Sequence, residues 1–154
     1  MKTITNALAT LCAMAALAAC DTHTVYDSYK DTPVTGWEKS DTLCFNPAAI
    51  RQTAVYNASL GMRVSHSYPY KSVTIIVERQ TAGTNAVCKD TLTCEITDGD
   101  GDAIGSGVNY YQYDFPISDM SLNEGDSLSI KVCHGMKRES LPGIYNVGIR
   151  LTKR

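Results

Sequence analysis

Apolar side chains recur at every second position from Trp37 to the C-terminus. The segment 56–64, for example, carries Tyr, Ala, Leu, Met and Val at alternate positions. Because successive side chains of a β-strand point to opposite faces, this alternation predicts strands with one buried face and one solvent face. We find no amphipathic helical pattern after residue 20. The chain is therefore predicted to be all-β.

Seven or eight such strands are separated by turn sequences rich in Gly, Pro, Asp and Asn. Besides 56–64, the predicted buried faces are Leu43 and Phe45; Val73, Ile75 and Val77; Leu92, Cys94 and Ile96; Tyr111, Tyr113, Phe115 and Ile117; Leu128, Ile130 and Val132; and Tyr145, Val147, Ile149 and Leu151. Antiparallel strands of this kind predict a β-sandwich over residues 37–154, with jelly-roll and immunoglobulin-like strand orders both open.

The N-terminus has the pattern of a bacterial lipoprotein signal peptide over residues 1–19. A charged Lys2 precedes an apolar segment that is too short to cross a bilayer permanently, and Leu17-Ala18-Ala19-Cys20 has the form of a lipobox. After cleavage, Cys20 is predicted to be acylated with chains such as palmitate and to anchor the protein to a membrane. The polar residues 20–36 are predicted to form the lipidated N-terminus and a tether.

Export places the four remaining cysteines, Cys44, Cys88, Cys94 and Cys133, in an oxidising compartment. The segment between Cys88 and Cys94 is predicted to be extended, which separates their α-carbons by about 20 Å, far beyond the roughly 4.4–6.8 Å that a disulfide tolerates. If a disulfide forms, Cys44–Cys133 is the pair that we expect. The alternative is four free thiols that behave as small apolar residues.

Charge and motif content exclude several function classes. The formal net charge is −2 and no basic run is present, so a nucleic-acid partner is not expected. There is no nucleophile elbow and no zinc-ligand spacing. We predict a protein that is not an enzyme and that needs no cofactor.

One acidic segment, Asp98-Gly99-Asp100-Gly101-Asp102, could bind a metal ion. Carboxylates at Asp98, Asp100 and Asp102 resemble the start of a calcium-binding EF-hand loop, although Ala103 and Asn109 replace its glycine and closing glutamate. The alternative is a tight turn whose glycines supply positive φ angles.

Three Asp-Thr or Asp-Ser pairs followed by leucine resemble the acceptor motif of a general O-glycosylation system of bacteria. The predicted acceptors are Thr42, Thr91 and Ser127. The alternative is that each aspartate lies in a turn at a strand entry and that each leucine enters the core.

Four aromatic residues are predicted to contribute to a contact surface: Trp37, Tyr68, Tyr70 and Tyr110. Exposed aromatic rings on a β-sandwich can stack on sugars or anchor a protein partner. Basic residues that would add positive charge to this surface are Arg63, Lys137, Arg138 and Arg150.

Five segments form an ordered set of motifs: 56–73 (with Tyr68-Pro69-Tyr70), Asp90-Thr91-Leu92-Thr93-Cys94-Glu95-Ile96, Ile104-Gly105-Ser106-Gly107, 130–137 and 141–150. In order and spacing they resemble the motifs of the gliding-motility lipoprotein GldH family of Bacteroidota. The chain departs from the family pattern at Gly135, Lys137 and Asn146, where alanine, arginine and aspartate are usual.

The resemblance implies a lipoprotein of the gliding machinery and its associated protein-secretion system, with no catalytic residues to transfer. From it we expect a non-enzymatic accessory or scaffold component, anchored in the outer membrane, facing the periplasm and contacting envelope proteins. The alternative is a lipoprotein that binds glycans through exposed aromatic residues.

Overall fold

The computed structural model describes residues 23–83 and 87–154, so the predicted signal peptide and Cys20 lie outside the described residues. The strands in these ranges are β1 Thr24–Asp31, β2 Trp37–Glu38, β3 Leu43–Phe45, β4 Ala54–Val64, β5 Ser72–Thr81, β6 Val87–Glu95, β7 Tyr111–Pro116, β8 Met120–Leu122, β9 Leu128–His134, β10 Ser140–Leu141 and β11 Ile144–Lys153. Neither range contains a helix of the length and apolarity needed to cross a membrane.

Eight of the strands pair like a long hairpin that has been rolled up. The first strand, β1, pairs with the last, β11; β3 pairs with β9, β4 with β7, and β5 with β6, all antiparallel. The resulting sheets have the orders β1-β11-β4-β7 and β3-β9-β5-β6, and β8 extends the first sheet by pairing with β4. This nesting is the jelly-roll order, which decides between the two orders that the sequence left open.

The two sheets pack face to face over a single apolar core. The inward faces predicted for 56–64, 73–77 and 128–132 are confirmed, since every apolar side chain named there is buried. Each large side chain removed from water in this way contributes about 1.5–3 kcal/mol. The all-β antiparallel sandwich is therefore confirmed.

The strand registers define two ends of the sandwich. Connections 32–42, 65–71, 96–110 and 135–143 meet at one end, which we call the four-loop end. The start of β1, the end of β11 and connections 46–53 and 117–127 meet at the opposite end, which we call the N-terminal end.

Thr24–Asp31 does not form the predicted tether. It forms edge strand β1, with register partners on β11 from Thr24↔Thr152 to Asp31↔Asn146. The segment is polar because only one face of an edge strand packs on the core, and Tyr26 supplies that packing. Without β1, the hydrogen-bonding edge of β11 would be open to another chain.

Tyr145 also differs from its predicted position in the core. Ile144 pairs with Val64 and Asn146 pairs with Arg63, so Tyr145 is an extra residue in a β-bulge. The bulge buries Ile144 instead and leaves Tyr145 exposed.

Trp37 and His134 close the core at the four-loop end. Trp37 is fully buried and its indole Nε1 donates to the carbonyl of Asp41 at 2.9 Å. His134 Nε2 donates to the carbonyl of Trp37 at 3.0 Å, and the two rings meet edge to face at 5.4 Å. Trp37 therefore cannot contribute to a contact surface as predicted, because its ring is part of the core.

The burial of His134 predicts a pH dependence of stability. Desolvation lowers the pKa of His134 below its usual 6.5, although its hydrogen bond to the Trp37 carbonyl opposes the shift. As the pH falls, this histidine is protonated in the unfolded chain at a higher pH than in the folded protein, so protonation favours unfolding. The stability that neutral His134 contributes is therefore complete above about pH 6.5 and is lost as the pH falls below it.

Urea denaturation at pH values from 8 to 5 measures this effect. We expect the difference in unfolding free energy between the unsubstituted protein and His134→Gln to shrink below about pH 6.5. The exposed His66→Gln serves as control and should follow the unsubstituted protein. Parallel curves for His134→Gln and the unsubstituted protein would contradict the assignment.

Candidate functional site

Arg63, on the outer face of sheet β1-β11-β4-β7, connects side chains from all four strands and the loop before β7. Its Nε donates to Gln112 Oε1 at 3.1 Å, and its Nη1 donates to Asn146 Oδ1 at 3.5 Å. Its guanidinium lies 4.5 Å from the ring centre of Tyr29 and 5.3 Å from that of Tyr110. We call these five residues the Arg63 cluster. It combines cation–aromatic contacts with amide hydrogen bonds in one fixed arrangement.

Asn146 joins this cluster to an acidic residue on the edge strand. Asp31, Asn146, Arg63 and Gln112 lie side by side in register across the sheet. The Asn146 amide donates through Nδ2 to Asp31 and accepts from Arg63 through Oδ1. An aspartate here, as in the family pattern, would lack the donor and would place a second carboxylate beside Asp31.

Tyr29 lies flat across two glycines of the neighbouring strands. A Cβ at Gly148 would meet ring atoms of Tyr29 at 2.7–2.8 Å, and one at Gly61 would meet its Cζ at 2.7 Å. The Tyr29 hydroxyl accepts from Gln112 Nε2 at 2.8 Å. Sequence reasoning missed Tyr29 because its segment was interpreted as a tether. Glycines inside two predicted strands were the available signal, since such glycines often mark a close approach.

This packing predicts that Gly148→Ala and Gly61→Ala destabilise the protein and that their effects depend differently on Tyr29. Gly148→Ala should destabilise the protein by about 1–3 kcal/mol, because the new methyl group overlaps the Tyr29 ring. Tyr29→Phe should not reduce this loss of stability, since the ring remains. Gly61→Ala should also destabilise the protein, and Tyr29→Phe should reduce that loss in part, because a Cβ at Gly61 meets the hydroxyl oxygen and Cζ of Tyr29. Chemical denaturation of single and double variants measures both.

Gly99→Ala is the matched control, because no atom lies within 4 Å of a Cβ at that position. If Tyr29→Ala left the cost of Gly148→Ala unchanged, the close packing of the ring on the glycine would not be its cause.

Arg150 provides less free positive charge than the sequence suggests. Its guanidinium lies 2.9 Å from Asp27 Oδ2 and 3.2 Å from Asp114 Oδ2. The hydrogen bond to Asp27 raises the pKa of Arg150 above its ordinary value. Because all three side chains are more than a third exposed, these pairs contribute about 1 kcal/mol or less each.

A second cation–aromatic group lies at the four-loop end. The rings of Tyr68 and Tyr70 meet at 5.5 Å and 76°, and the Arg138 guanidinium lies 5.8 Å from the Tyr70 ring. Burial raises the pKa of Tyr68, whose hydroxyl donates to the Ser72 carbonyl at 3.4 Å. Both tyrosines are half-buried and pack on the core, so only part of each side chain is accessible to a partner.

The four-loop end also exposes large apolar side chains, which sequence reasoning did not single out. Val34 is 97% exposed and Val108 is 91% exposed. Ile104 and Tyr145 are about half exposed. Three of the four predicted contact residues lie at this same end at least partly exposed: Tyr68, Tyr70 and Tyr110.

The predicted metal site is not formed. The Oδ1 of Asp98 accepts the backbone N–H groups of Asp100, Gly101 and Asp102 at 2.9–3.0 Å, so this carboxylate stabilises its own turn. In residues 23–83 and 87–154, no three His, Cys, Asp or Glu side chains converge as a metal ion requires.

The predicted Cys44–Cys133 bridge is not formed either, and all four described cysteines are free thiols. Cys44 pairs with Lys131, so Cys133 is its diagonal neighbour. Diagonal α-carbons lie about 7–8 Å apart, outside the range for a disulfide. Cys88 and Cys94 lie on the extended strand β6, which confirms that the segment between them is extended.

The thiols should therefore differ in reactivity. We expect rapid maleimide labelling of the exposed Cys44 and Cys88, slower labelling of Cys133, and none of Cys94 until the protein unfolds. Burial raises the pKa of Cys94 to about 12, which keeps it protonated and unreactive. Intact mass after labelling without reductant, before and after denaturation, tests this. A denatured protein that labels at only two of the four described thiols would instead indicate a disulfide.

The predicted glycosylation acceptors Thr42, Thr91 and Ser127 are all exposed, on or beside sheet β3-β9-β5-β6. The aspartate preceding Thr91 has a structural role: Asp90 forms an ion pair with the buried Arg79 and accepts from Ser118 Oγ. Modification of these residues remains a prediction.

The sequence of this chain is similar to those of known proteins of one family. A family model described as GldH lipoprotein matches residues 24–151. The Gliding motility lipoprotein GldH of Flavobacterium johnsoniae is 28% identical, with 98% of each chain covered. The GldH homolog of Christiangramia forsetii is 24% identical, with 88% of each chain covered.

A family 35 carbohydrate-binding module from Clostridium thermocellum is similar in structure at a TM-score of 0.39 and 14% identity, with 83% of this chain and 90% of that chain covered. That similarity is too low to bear on function. The family model, by contrast, begins at the first residue of β1 and ends in β11, so it spans the whole rolled-up pairing of strands. The chain therefore belongs to the GldH lipoprotein family.

Proposed function

We propose that this chain is a non-enzymatic accessory lipoprotein of the gliding machinery or its associated secretion system. It is anchored through acylated Cys20 in the outer membrane, faces the periplasm and holds the four-loop end towards an envelope protein. The observation that carries this proposal is the position of the Arg63 cluster and the exposed apolar residues, at the end of the sandwich opposite the start of β1.

The position of the anchor gives the domain an orientation. Strand β1 begins at the N-terminal end of the sandwich, only four residues after Cys20. The eleven residues of β4 run from this end to the four-loop end, a distance of about 36 Å at 3.3 Å per residue. The four-loop end is thus held away from the lipid surface, where a partner can reach it.

The composition of the four-loop end supports a protein partner. Tyrosine and arginine are the side chains that most often dominate the energy of protein interfaces. Here Arg63 and Arg138 are held against Tyr110 and Tyr70, which lowers the entropy that each loses on binding. Val34 and Val108 add exposed apolar surface, which is typical of protein interaction sites.

The aromatic geometry gives less support to the glycan-binding alternative. A sugar ring stacks on a flat, accessible aromatic face. The Tyr68 and Tyr70 rings are nearly perpendicular, and the Tyr29 ring lies between the glycines of its sheet and the Arg63 guanidinium. Trp37, the largest candidate, is buried.

Site-specific photocrosslinking in native cells tests the proposal. A photoreactive amino acid replacing Val108 should crosslink a defined envelope protein, and one replacing Lys131, in the exposed middle of β9, should not. Val108→Asp should abolish that interaction without lowering the melting temperature, because the side chain is almost fully exposed.

Val87→Asp is the matched control, since Val87 is an exposed valine at the N-terminal end. It should preserve the interaction. Equal crosslinking from Val108 and Lys131, or recovery of lipid alone from Val108, would contradict a partner at the four-loop end.

A further inference from the structure

We propose that the cavity at the N-terminal end binds the headgroup of an anionic lipid in the membrane that carries the anchor. The proposal rests on the acylation of Cys20 proposed above but not on the protein partner. It assigns a second binding site, at the end of the sandwich opposite the four-loop end.

The cavity is formed where β1 begins and β11 ends. It has a volume of about 400 Å³, and its lining is Thr24, Val25, Pro47, Ala48, Ala49, Ile50, Arg51, Gln52, Tyr56 and Lys153. A phosphate with its glycerol group is smaller than this volume. The lining therefore has room for a lipid headgroup.

The charge of the lining is positive, although the chain as a whole is negative. Arg51 and Lys153 are basic, and the described residues that line the cavity include no acidic one. Lys153 Nζ donates to the neutral amide of Gln52 at 2.6 Å, and the exposed Arg51 has no hydrogen bond or ion pair with any described residue. Arg154, at the same end, is instead paired with Asp119 at 3.2 Å. An anion in the cavity would meet two cations whose charge is not balanced by a carboxylate of any described lining residue.

The length of chain between the anchor and the cavity selects a membrane lipid as the occupant. Thr24 lines the cavity and is four residues from Cys20, a span of at most about 14 Å even when fully extended. The cavity is thus held within about 14 Å of the acylated residue, close enough to reach the headgroups of the bilayer. A tether over 20–36, as the sequence suggested, would have imposed no such limit.

The loop beside the cavity suits an interface between water and lipid. Pro47-Ala48-Ala49-Ile50 is an uncharged run that leads directly to Arg51, and Ala48 and Ala49 are exposed. Val25 in the cavity wall is also exposed, at 48%. Small apolar groups at the acyl boundary and cations at the phosphate level are typical of proteins that lie on membranes.

Hydrogen exchange in nanodiscs tests this proposal with the complete mature lipoprotein. We expect the backbone amides of Ala48, Ala49 and Arg51 to exchange about tenfold more slowly in phosphatidylglycerol nanodiscs than in phosphatidylcholine nanodiscs, since the two basic residues favour the anionic surface. Arg51 has no hydrogen bond or ion pair with a described residue, so Arg51→Gln should remove most of this difference without disturbing the fold.

Arg154→Gln is the matched control, because it removes a cation from the same end but outside the cavity, and it should retain the difference. Equal exchange in the two lipids, or an effect of Arg51→Gln no larger than that of Arg154→Gln, would overturn the proposal. So would slowing that occurs only in native envelopes, which would indicate a protein at this site. An intact mass without acyl chains on Cys20 would also overturn the lipid-binding proposal, because the proposal depends on the anchor. Failure of the crosslinking at Val108 would contradict only the protein partner and would leave the lipid-binding proposal unaffected.

Discussion

The pairing of the first strand with the last is the interaction on which most other features depend. Because the eight strands nest as a rolled-up hairpin, β1 is the strand that covers the edge of β11. Tyr29 on β1 reaches across Gly148 to Gly61, and its ring lies beneath the Arg63 guanidinium. Without β1 the Arg63 cluster would lack the Tyr29 ring that supports its guanidinium, and the edge of β11 would be exposed.

The same pairing gives the two ends of the sandwich different chemistry. At the N-terminal end, where β1 begins four residues after Cys20, Arg51 and Lys153 line a cavity whose described lining residues include no acidic side chain. At the four-loop end, cations lie against tyrosine rings beside exposed apolar side chains. By contrast, Arg79 is paired with Asp90, and Arg150 is paired with Asp27 and Asp114. The distribution suits a lipoprotein with lipid at one end and a partner at the other.

Much of the fold could be predicted, because alternation along a strand is a local property. The faces at 56–64, 73–77 and 128–132 followed directly from it. Tyr145 was misplaced because a β-bulge is set by the partner strand, which local sequence does not show. Tyr29 was missed because an edge strand with one polar face has the composition of a tether. The three aspartates at 98–102 were compatible with a metal loop, and only the hydrogen bonds to Asp98 identify them as a turn.

The sequence by itself determined the all-β class, the buried faces of the main strands and the resemblance to GldH lipoproteins, since each depends on residues near one another in the chain. The tertiary structure decided the jelly-roll order, the burial of Trp37, the separation of Cys44 from Cys133 and the joining of Arg63 to Tyr29 and Asn146. These features depend on which distant strands pair and in which register. Alternation alone does not determine the pairing, because a strand with one apolar face can bury that face equally well beside several different partner strands.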